Sequence, residues 1–155
     1  MDISTELSNY LAEKSRLVEA AIREFRSGTS AAEIARALAP AFSRDMVTSY
    51  LSAVARADSA CTALTETGLN AVASVHMSGI DAPRESTIVV GADPSEVDDP
   101  DRLPHRVREA LAPFHLTLAL PRGEGPEEGE SVDAAVDRLL LEGEPVPIVR
   151  AIPRR

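Results

Sequence analysis

The chain has few aromatic side chains and no tryptophan. Phenylalanine and tyrosine together make up 3% of its 155 residues, against a hydrophobic fraction of 44%. The core must therefore be built from aliphatic side chains, mainly those of alanine, valine and leucine. Because single-stranded nucleic acids are usually bound by stacking their bases on aromatic rings, this composition argues against that class of binding site.

Cysteine is also scarce, since Cys61 is the only one. One cysteine cannot form an intrachain disulfide, and its place at the end of a helical pattern favours a small buried hydrophobe. The sequence lacks apolar runs of about 18 residues, and its first ten residues lack the basic and apolar regions of a secretion signal. We therefore expect a cytoplasmic protein with no contact to a membrane.

Lysine is nearly absent as well, with Lys14 alone against fifteen arginines, a bias typical of a GC-rich bacterial genome. The formal net charge is −9, and residues 1–63 carry seven cations and eight anions, whereas residues 64–155 carry nine cations and seventeen anions. An acidic protein gains no long-range attraction to DNA, so binding would have to come from a local cluster and would depend on salt. The nearly neutral first part is the one that can approach phosphate.

A long amphipathic helix is predicted at the start of the chain, from Thr5 to about Arg26. Gly28 follows it, and glycine supplies the permissive backbone that helix C-termini favour. The apolar positions recur at helical spacing and predict one buried face, composed of Leu7, Tyr10, Leu11, Leu17, Val18, Ala21, Ile22 and Phe25.

Two further helices are predicted between residues 30 and 56. Ser30 and Glu33 form an S-x-x-E capping box that begins the first of them, and Pro40 ends it, since a residue before proline avoids helical dihedrals. Ser43 can cap the next helix. The positions of that helix that should be buried are Met46, Val47, Tyr50, Leu51 and Val54.

Two helices joined by a tight turn are the layout of a helix-turn-helix DNA reader, whose second helix enters the major groove. Arg44 would reach a guanine edge or a phosphate, and Thr48 and Ser49 would contact bases. The full set of candidate DNA-binding residues is Arg36, Ser43, Arg44, Asp45, Thr48, Ser49, Ser52 and Arg56. A plain helical hairpin within an α-helical core is the alternative interpretation.

Residues 28–51, GTSAAEIARALAPAFSRDMVTSYL, resemble the DNA-binding segment of small helix-turn-helix regulators of actinobacteria, their plasmids and their phages. Ala35 stands at the small position where the helices cross, and Ile34, Leu38 and Val47 stand at the usual core positions. The connection APAF is longer than the usual one. The resemblance implies a transcriptional regulator that binds double-stranded DNA. A homodimer is expected because one short, weakly charged helix gives little affinity.

The remainder of the chain predicts the element order β-β-α-β-α-β. We therefore predict an α+β protein with an all-α helix-turn-helix domain at residues 1–63 and a small α+β domain at residues 64–155, which would serve dimerisation, an effector or a protein partner. A hinge is predicted at Asp58–Gly68, followed by strands at Ala71–Met77 and Ser86–Gly91 around a turn at Gly79–Arg84, a strand at His115–Leu120, a loop at Pro121–Glu130 and an edge strand at Pro145–Ile152. One helix is predicted from Asp99–Pro100 to Pro113, with Leu103, Val107, Leu111 and Phe114 facing inward. Another is predicted to begin at Ser131, with Val132, Val136, Leu139 and Leu140 facing inward.

No pattern in the sequence predicts a metal, a cofactor or a catalytic residue. His76, His105 and His115 lack metal-ligand spacing, and the acidic run Asp93–Asp101 lacks the order of a calcium loop and is expected to be a solvated turn. There is no phosphate loop, nucleotide fingerprint or nucleophile elbow, so we do not expect an enzyme. The main alternative function is an adaptor whose helical domain binds another protein; a small enzyme would instead need a polar pocket around His76 or His115.

Overall fold

The computed structural model of the protein describes residues 2–81, 87–90 and 99–152, with the backbone alone at 87, 89 and 90. Helices and a small antiparallel sheet together confirm the α+β class. The helices are α1 (Ile3–Arg26), α2 (Ala31–Leu38), α3 (Arg44–Glu66), α4 (Leu103–Leu111) and α5 (Val132–Leu141), and the strands are β1 (Ala73–His76), β2 (Thr87–Val90), β3 (Leu116–Leu118) and β4 (Val146–Arg150). Short 3-10 turns lie at Leu69–Ala71, Pro100–Arg102 and Ala112–Phe114.

The chain forms two compact units that divide within helix α3. The first unit comprises Met1–Ser52 with Gly79–Pro83, and the second comprises Ala53–Ser78 with Arg84–Arg155. The sequence placed the boundary after residue 63, inside a hinge, but α3 continues unbroken to Glu66. The helix persists because the apolar positions Ala60, Ala63 and Leu64 keep helical spacing and are all buried.

Helix α1 ends where its sequence predicts and begins two residues earlier, at Ile3 in place of Thr5. The Asp2 carboxylate caps it by accepting a hydrogen bond from the Ser4 amide at 3.2 Å. The helix ends at Arg26, and Gly28 follows with a φ of +111°, which a residue with a Cβ rarely adopts.

The predicted burial of α1 is wrong for the N-terminal part of the helix. Of the eight apolar residues, only Ala21 is buried, and Val18, Ile22 and Phe25 are half-buried. Every residue of α1 that is even half-buried lies at position 14 or beyond, so the first unit covers only the C-terminal part of the helix. The periodicity of the sequence marks an apolar face but does not show how much of it finds a partner. The exposed members are Leu7, Tyr10, Leu11 and Leu17.

The second unit is built on a four-stranded sheet in the order β1-β2-β4-β3, in which every neighbouring pair is antiparallel. The pairings Val75 with Ile88, Ile88 with Val146 and Leu118 with Ile148 place these side chains on one face. That face forms a single hydrophobic core with α4, α5 and the C-terminal part of α3. The helical residues in this core include Ala60, Leu64, Val107, Leu111, Val136 and Leu140.

Strand β4 lies inside the sheet, so the prediction of an edge strand is wrong. Proline was expected to confine the strand to an edge because it lacks an N–H donor. The carbonyl of Pro147 points toward the β3 side of the sheet, where it accepts from the Ala119 amide at 3.1 Å. The N–H that Pro147 lacks would also face this side, opposite Ala119, which follows the last residue of β3, Leu118. The ladder to β2 loses no hydrogen bond at this residue.

Helix α5 begins where the sequence predicts, whereas α4 begins at Leu103, after the 3-10 turn Pro100–Arg102, and not at Asp99–Pro100. In α4, Leu103, Val107 and Leu111 are buried as predicted. In α5, the Ser131 hydroxyl accepts from the Ala134 amide at 3.1 Å, which confirms the predicted cap. Val132, predicted to point inward, is 54% exposed, and the buried position is Ala135, which shares a face with the three other inward residues.

An ion pair links the loop before α5 to the helix itself. The Arg138 guanidinium donates to both carboxylate oxygens of Glu130, at 3.1 and 3.2 Å, and the Glu130 side chain also accepts from the Glu127 amide at 3.0 Å. The hydrogen bond from Arg138, followed by the one from the Glu127 amide, lowers the pKa of Glu130 below its usual value of 4.5.

Replacing Glu130 with glutamine is expected to reduce the stability of the protein at neutral pH but not in acid. A carboxyl whose folded pKa is lowered stabilises the fold above its unfolded pKa, and this contribution is lost as the pH falls through the folded pKa. The difference in free energy of unfolding between Glu130→Gln and the parent should therefore shrink below about pH 4.5, as measured by urea unfolding at a series of pH values. Glu128→Gln in the same loop is the control, and an equal pH dependence of the two variants would contradict the expectation.

Candidate nucleic-acid interface

Helix α2 begins and ends where its sequence predicts. The Ser30 hydroxyl accepts from the Glu33 amide at 3.2 Å, which is one half of the expected capping box. Ala39 takes an extended conformation, with φ −68° and ψ 142°, as the residue before a proline should. The inward side chains Ile34 and Ala35 are 2% and 3% exposed. Burial of this face orients the opposite face, with Arg36, toward solvent.

The connection between α2 and α3 contains a buried aromatic anchor that the sequence did not predict. Residues 39–43 form the connection, which is longer than the roughly 3–4 residues of a typical helix-turn-helix. Phe42 lies in it and is buried, and the Lys14 ammonium lies 6.0 Å from the centre of its ring. Lys14 also pairs with the carboxylate of Asp81, from the segment between β1 and β2. These contacts hold the connection against α1.

Two signals in the sequence could have revealed this anchor. Lys14 is the only lysine of the chain and interrupts the apolar face of α1, where a cation needs a partner. Phe42 is one of three phenylalanines and stands in a turn, where an exposed aromatic would be costly. Asp81 has no such signal, because it is 67 residues from Lys14 along the chain.

Helix α3 is held at its N-terminal end by a cap and along one side by burial. The Ser43 hydroxyl accepts from the Met46 amide at 3.2 Å, as predicted. Four of the five residues of the predicted stripe are buried, and Met46 is half-buried. Burial raises the pKa of the Tyr50 hydroxyl, and the nearby Arg26 guanidinium acts in the opposite direction. Arg26, at the C-terminal end of α1, is therefore a further cation that acts on the N-terminal part of α3, and the sequence did not single it out.

The predicted DNA-binding residues differ in their exposure to solvent and in the interactions that their side chains already make within the chain. The Thr48 hydroxyl donates to the carbonyls of Arg44 and Asp45, at 3.0 and 3.3 Å, so its proton is engaged in the helix. Ser52 and Arg56 are half-buried and already have interactions within the chain. Arg56 also lies beyond the division of α3, in the second unit. The candidates that are exposed are Arg36, Ser43, Arg44, Asp45 and Ser49.

The exposed candidates have mixed charge. Arg36 and Arg44 can donate to phosphates or to a guanine edge. Asp45 lies in the first turn of α3, where its negative charge stabilises the positive end of the helix dipole but repels phosphate. On a base edge, it can accept a hydrogen bond from the amino group of cytosine. Arg36 is exposed, and its Nε donates to the Ala32 carbonyl at 3.4 Å. The surface can therefore make a few directed contacts and little general attraction to polyphosphate.

The histidines, the cysteine and the acidic run Asp93–Asp101 were the other residues considered for chemistry in the sequence. Groups of three His, Cys, Asp or Glu side chains that could hold a metal are absent from the part of the chain that the structure describes. His105 pairs with Glu109 at 2.9 Å, and His76 Nε2 lies 2.9 Å from the Ser74 hydroxyl. Cys61 is exposed, so its predicted burial is wrong. The acidic run Asp93–Asp101 lies mostly outside the described residues.

A cavity of about 510 Å³ lies in the second unit, between the loop after β3 and the end of α5. Neither His76 nor His115 is among its lining residues, so it is not the pocket that an enzyme built on these histidines would need. The lining residues are Pro121, Glu124, Arg138, Leu139, Glu142, Glu144, Pro145 and Pro147.

Comparison with protein-family models, with curated proteins and with solved structures yields no match for this chain. Among the residues described, no helix combines the length and the apolar character that crossing a bilayer requires.

Proposed function

We propose that this protein is a site-specific double-stranded DNA-binding protein, a bacterial transcriptional regulator that acts in the cytoplasm. The observation that carries the proposal is the N-terminal part of α3, where exposed Arg44 and Ser49 project from a helix whose opposite side is buried. Rigid support of this kind is what direct readout of base edges requires. The resemblance of residues 28–51 to helix-turn-helix regulators points in the same direction.

The reader acts as a homodimer. One exposed helix with few cations contributes a small number of contacts, and each good bidentate contact to a base is worth about 1–3 kcal/mol of discrimination. Two copies related by a two-fold axis would place their α3 helices in successive major grooves about 34 Å apart. The second unit is then available for an effector or a protein partner, and its cavity is the candidate site for a small molecule.

Replacing Arg44 with alanine is expected to weaken binding to the selected duplex by roughly tenfold to a hundredfold. The estimate corresponds to the loss of one bidentate base contact, which would also relax sequence preference at one position of the site. The experiment is a selection from randomised duplexes with the full chain at about 50 mM salt, a concentration at which phosphate contacts are strong. Affinities of the parent, Arg36→Ala and Arg44→Ala are then measured by fluorescence anisotropy.

The matched control is Arg122→Ala, which removes an exposed arginine from the second unit and should leave the affinity unchanged. If Arg36 contacts phosphate, its variant should lose affinity equally for all sequences and reduce the salt dependence. Failure of the parent to enrich or bind any duplex would refute the DNA-binding proposal.

An adaptor that binds another protein is the second candidate, because the net charge of −9 and the exposed apolar residues of α1 both suit a protein partner. Under this function, Arg36→Glu and Arg44→Glu would leave the activity in the cell intact. A stoichiometric protein would then be recovered with the chain from extract, with no enrichment of DNA.

A further inference from the structure

The N-terminal part of helix α1 presents a row of large apolar side chains to solvent. Single exposed apolar residues are common in soluble proteins, but a contiguous set marks an interaction surface. We call this set the α1 apolar face: Ile3 is 84% exposed, Leu7 54%, Tyr10 64%, Leu11 49% and Leu17 44%.

The spacing within the α1 apolar face is that of a helix that packs against another helix. Ile3, Leu7, Tyr10 and Leu17 take positions of a repeat with alternating intervals of four and three residues, and the remaining position is Lys14, which pairs with Asp81 within the first unit. This 3.5-residue repeat keeps one line of side chains facing a partner helix along the whole contact. A globular helix that covers its own core has a broader stripe with a period of 3.6.

The charges along α1 favour a partner of the same sequence in the opposite direction. Residues 2–6 contain two carboxylates and no cation, whereas residues 14–18 contain two cations and no carboxylate. Two antiparallel α1 helices that overlap from Ile3 to Leu17 place these two segments beside each other, and a parallel pair would place like charges together. Anionic lipid is disfavoured as the occupant, because interfacial helices carry lysine and arginine beside their apolar residues and residues 2–13 carry none.

We propose that the α1 apolar face is covered by α1 of a second copy, in an antiparallel pair with Ile3 of each copy beside Leu17 of the other. Tyr10 then lies close to the two-fold axis, and Glu6 of each copy lies beside the segment of the other that carries Lys14 and Arg16. The contact runs about 21 Å along each helix, at 1.5 Å per residue. A contact of this length is smaller than a standard protein interface, so the dimer is reversible, with a dissociation constant on the order of micromolar.

This inference deepens the proposed function, because it names the surface that brings two α3 helices into one symmetric particle. The test is made without DNA, so that its failure is separate from a failure to bind a duplex. A dimer that binds no duplex would refute only the DNA-binding proposal, and a monomer that binds duplexes would refute only this one.

Sedimentation equilibrium of the full chain over a micromolar concentration series is the first measurement. The double variant Leu7→Glu with Leu11→Glu should raise the dissociation constant by roughly a hundredfold or more, because it adds charge and removes apolar area from both copies. Thr5→Glu with Ala12→Glu is the matched control, with the same two charges on the opposite side of the helix, and should dimerise as the parent does. A monomeric parent, or equal dissociation of both double variants, would overturn the proposal. Circular dichroism checks that each variant remains folded.

Disulfide trapping then tests the orientation. Ile3→Cys and Leu17→Cys are prepared separately with Cys61→Ser and mixed under mild oxidation. The antiparallel pair predicts that the mixed disulfide between the two variants forms faster than either homodimeric disulfide. Preferred linkage of Ile3→Cys to itself would indicate a parallel pair and overturn the arrangement. Co-sedimentation of the monomer with anionic vesicles, lost in the Leu7→Glu and Leu11→Glu variant, would instead assign the face to a membrane and overturn the choice of partner.

Discussion

Replacing Leu51 with alanine is expected to lower the free energy of unfolding by about 3–5 kcal/mol. Leu51 is 1% exposed in the middle of the buried side of α3, where Val47 and Val54 are also buried. Truncation removes the transfer free energy of the lost methyl and methylene groups and leaves a cavity, and both terms are unfavourable. Since native proteins are stable by only about 5–15 kcal/mol, this loss would leave the first unit partly unfolded at 37 °C.

Urea unfolding followed by circular dichroism provides the measurement. With a urea dependence of about 1–3 kcal/mol per molar, the midpoint should fall by roughly 2 M. Leu11→Ala, measured at a concentration at which the chain is monomeric, is the control in the same unit, because it makes the same chemical change at a side chain that is 49% exposed, and its effect should stay below about 1 kcal/mol. If the two variants unfolded at the same midpoint, the burial of α3 in the first unit would be wrong.

Leu140→Ala is expected to have the largest effect in the second unit, again about 3–5 kcal/mol. Leu140 is fully buried in α5, within the core that joins this helix to α4 and the sheet. Its neighbour Leu141 is 36% exposed, so Leu141→Ala makes the same change one residue away. The pair also tests the register of α5, because a rotation of the helix by one residue would exchange the two effects.

Hydrogen exchange would separate the two cases. Leu140→Ala should increase exchange at the amides of β4 and α4, which share its core, while Leu141→Ala should leave them protected. Equal losses of protection in the two variants would show that Leu141 contributes to the core as much as Leu140 does.

The boundaries of the helices could be predicted because their causes are local. Ser30, Ser43 and Ser131 each accept a hydrogen bond from an amide three residues ahead, and the sequence is enough to place such a cap. Gly28 and Pro40 end helices through the backbone conformations that glycine adopts and that proline imposes on the residue before it, and both effects can be read from the residue type. The same local reasoning identified the exposed Arg44 and Ser49, since the opposite side of α3 carries regularly spaced apolar residues.

The errors came from features that depend on contacts between distant parts of the chain. Helix α1 has an apolar face over its whole length, but only its C-terminal part is covered within the first unit. Strand β4 accepts Pro147 in the interior of the sheet because β3 ends opposite it. In the candidate site, the anchoring of Phe42 by Lys14 and Asp81 joins residues from three separate segments.

The sequence by itself determined the α+β class, the order of the elements, the caps of the helices and the side of α3 that faces away from the core. These properties follow from the spacing of apolar residues and from hydrogen bonds between residues a few positions apart, both of which depend only on neighbouring residues in the sequence. Only the tertiary structure decided which apolar residues of α1 remain exposed, where the chain divides into two units and which strand lies inside the sheet. Those outcomes depend on which surfaces meet, and residues far apart in the chain meet only when it folds.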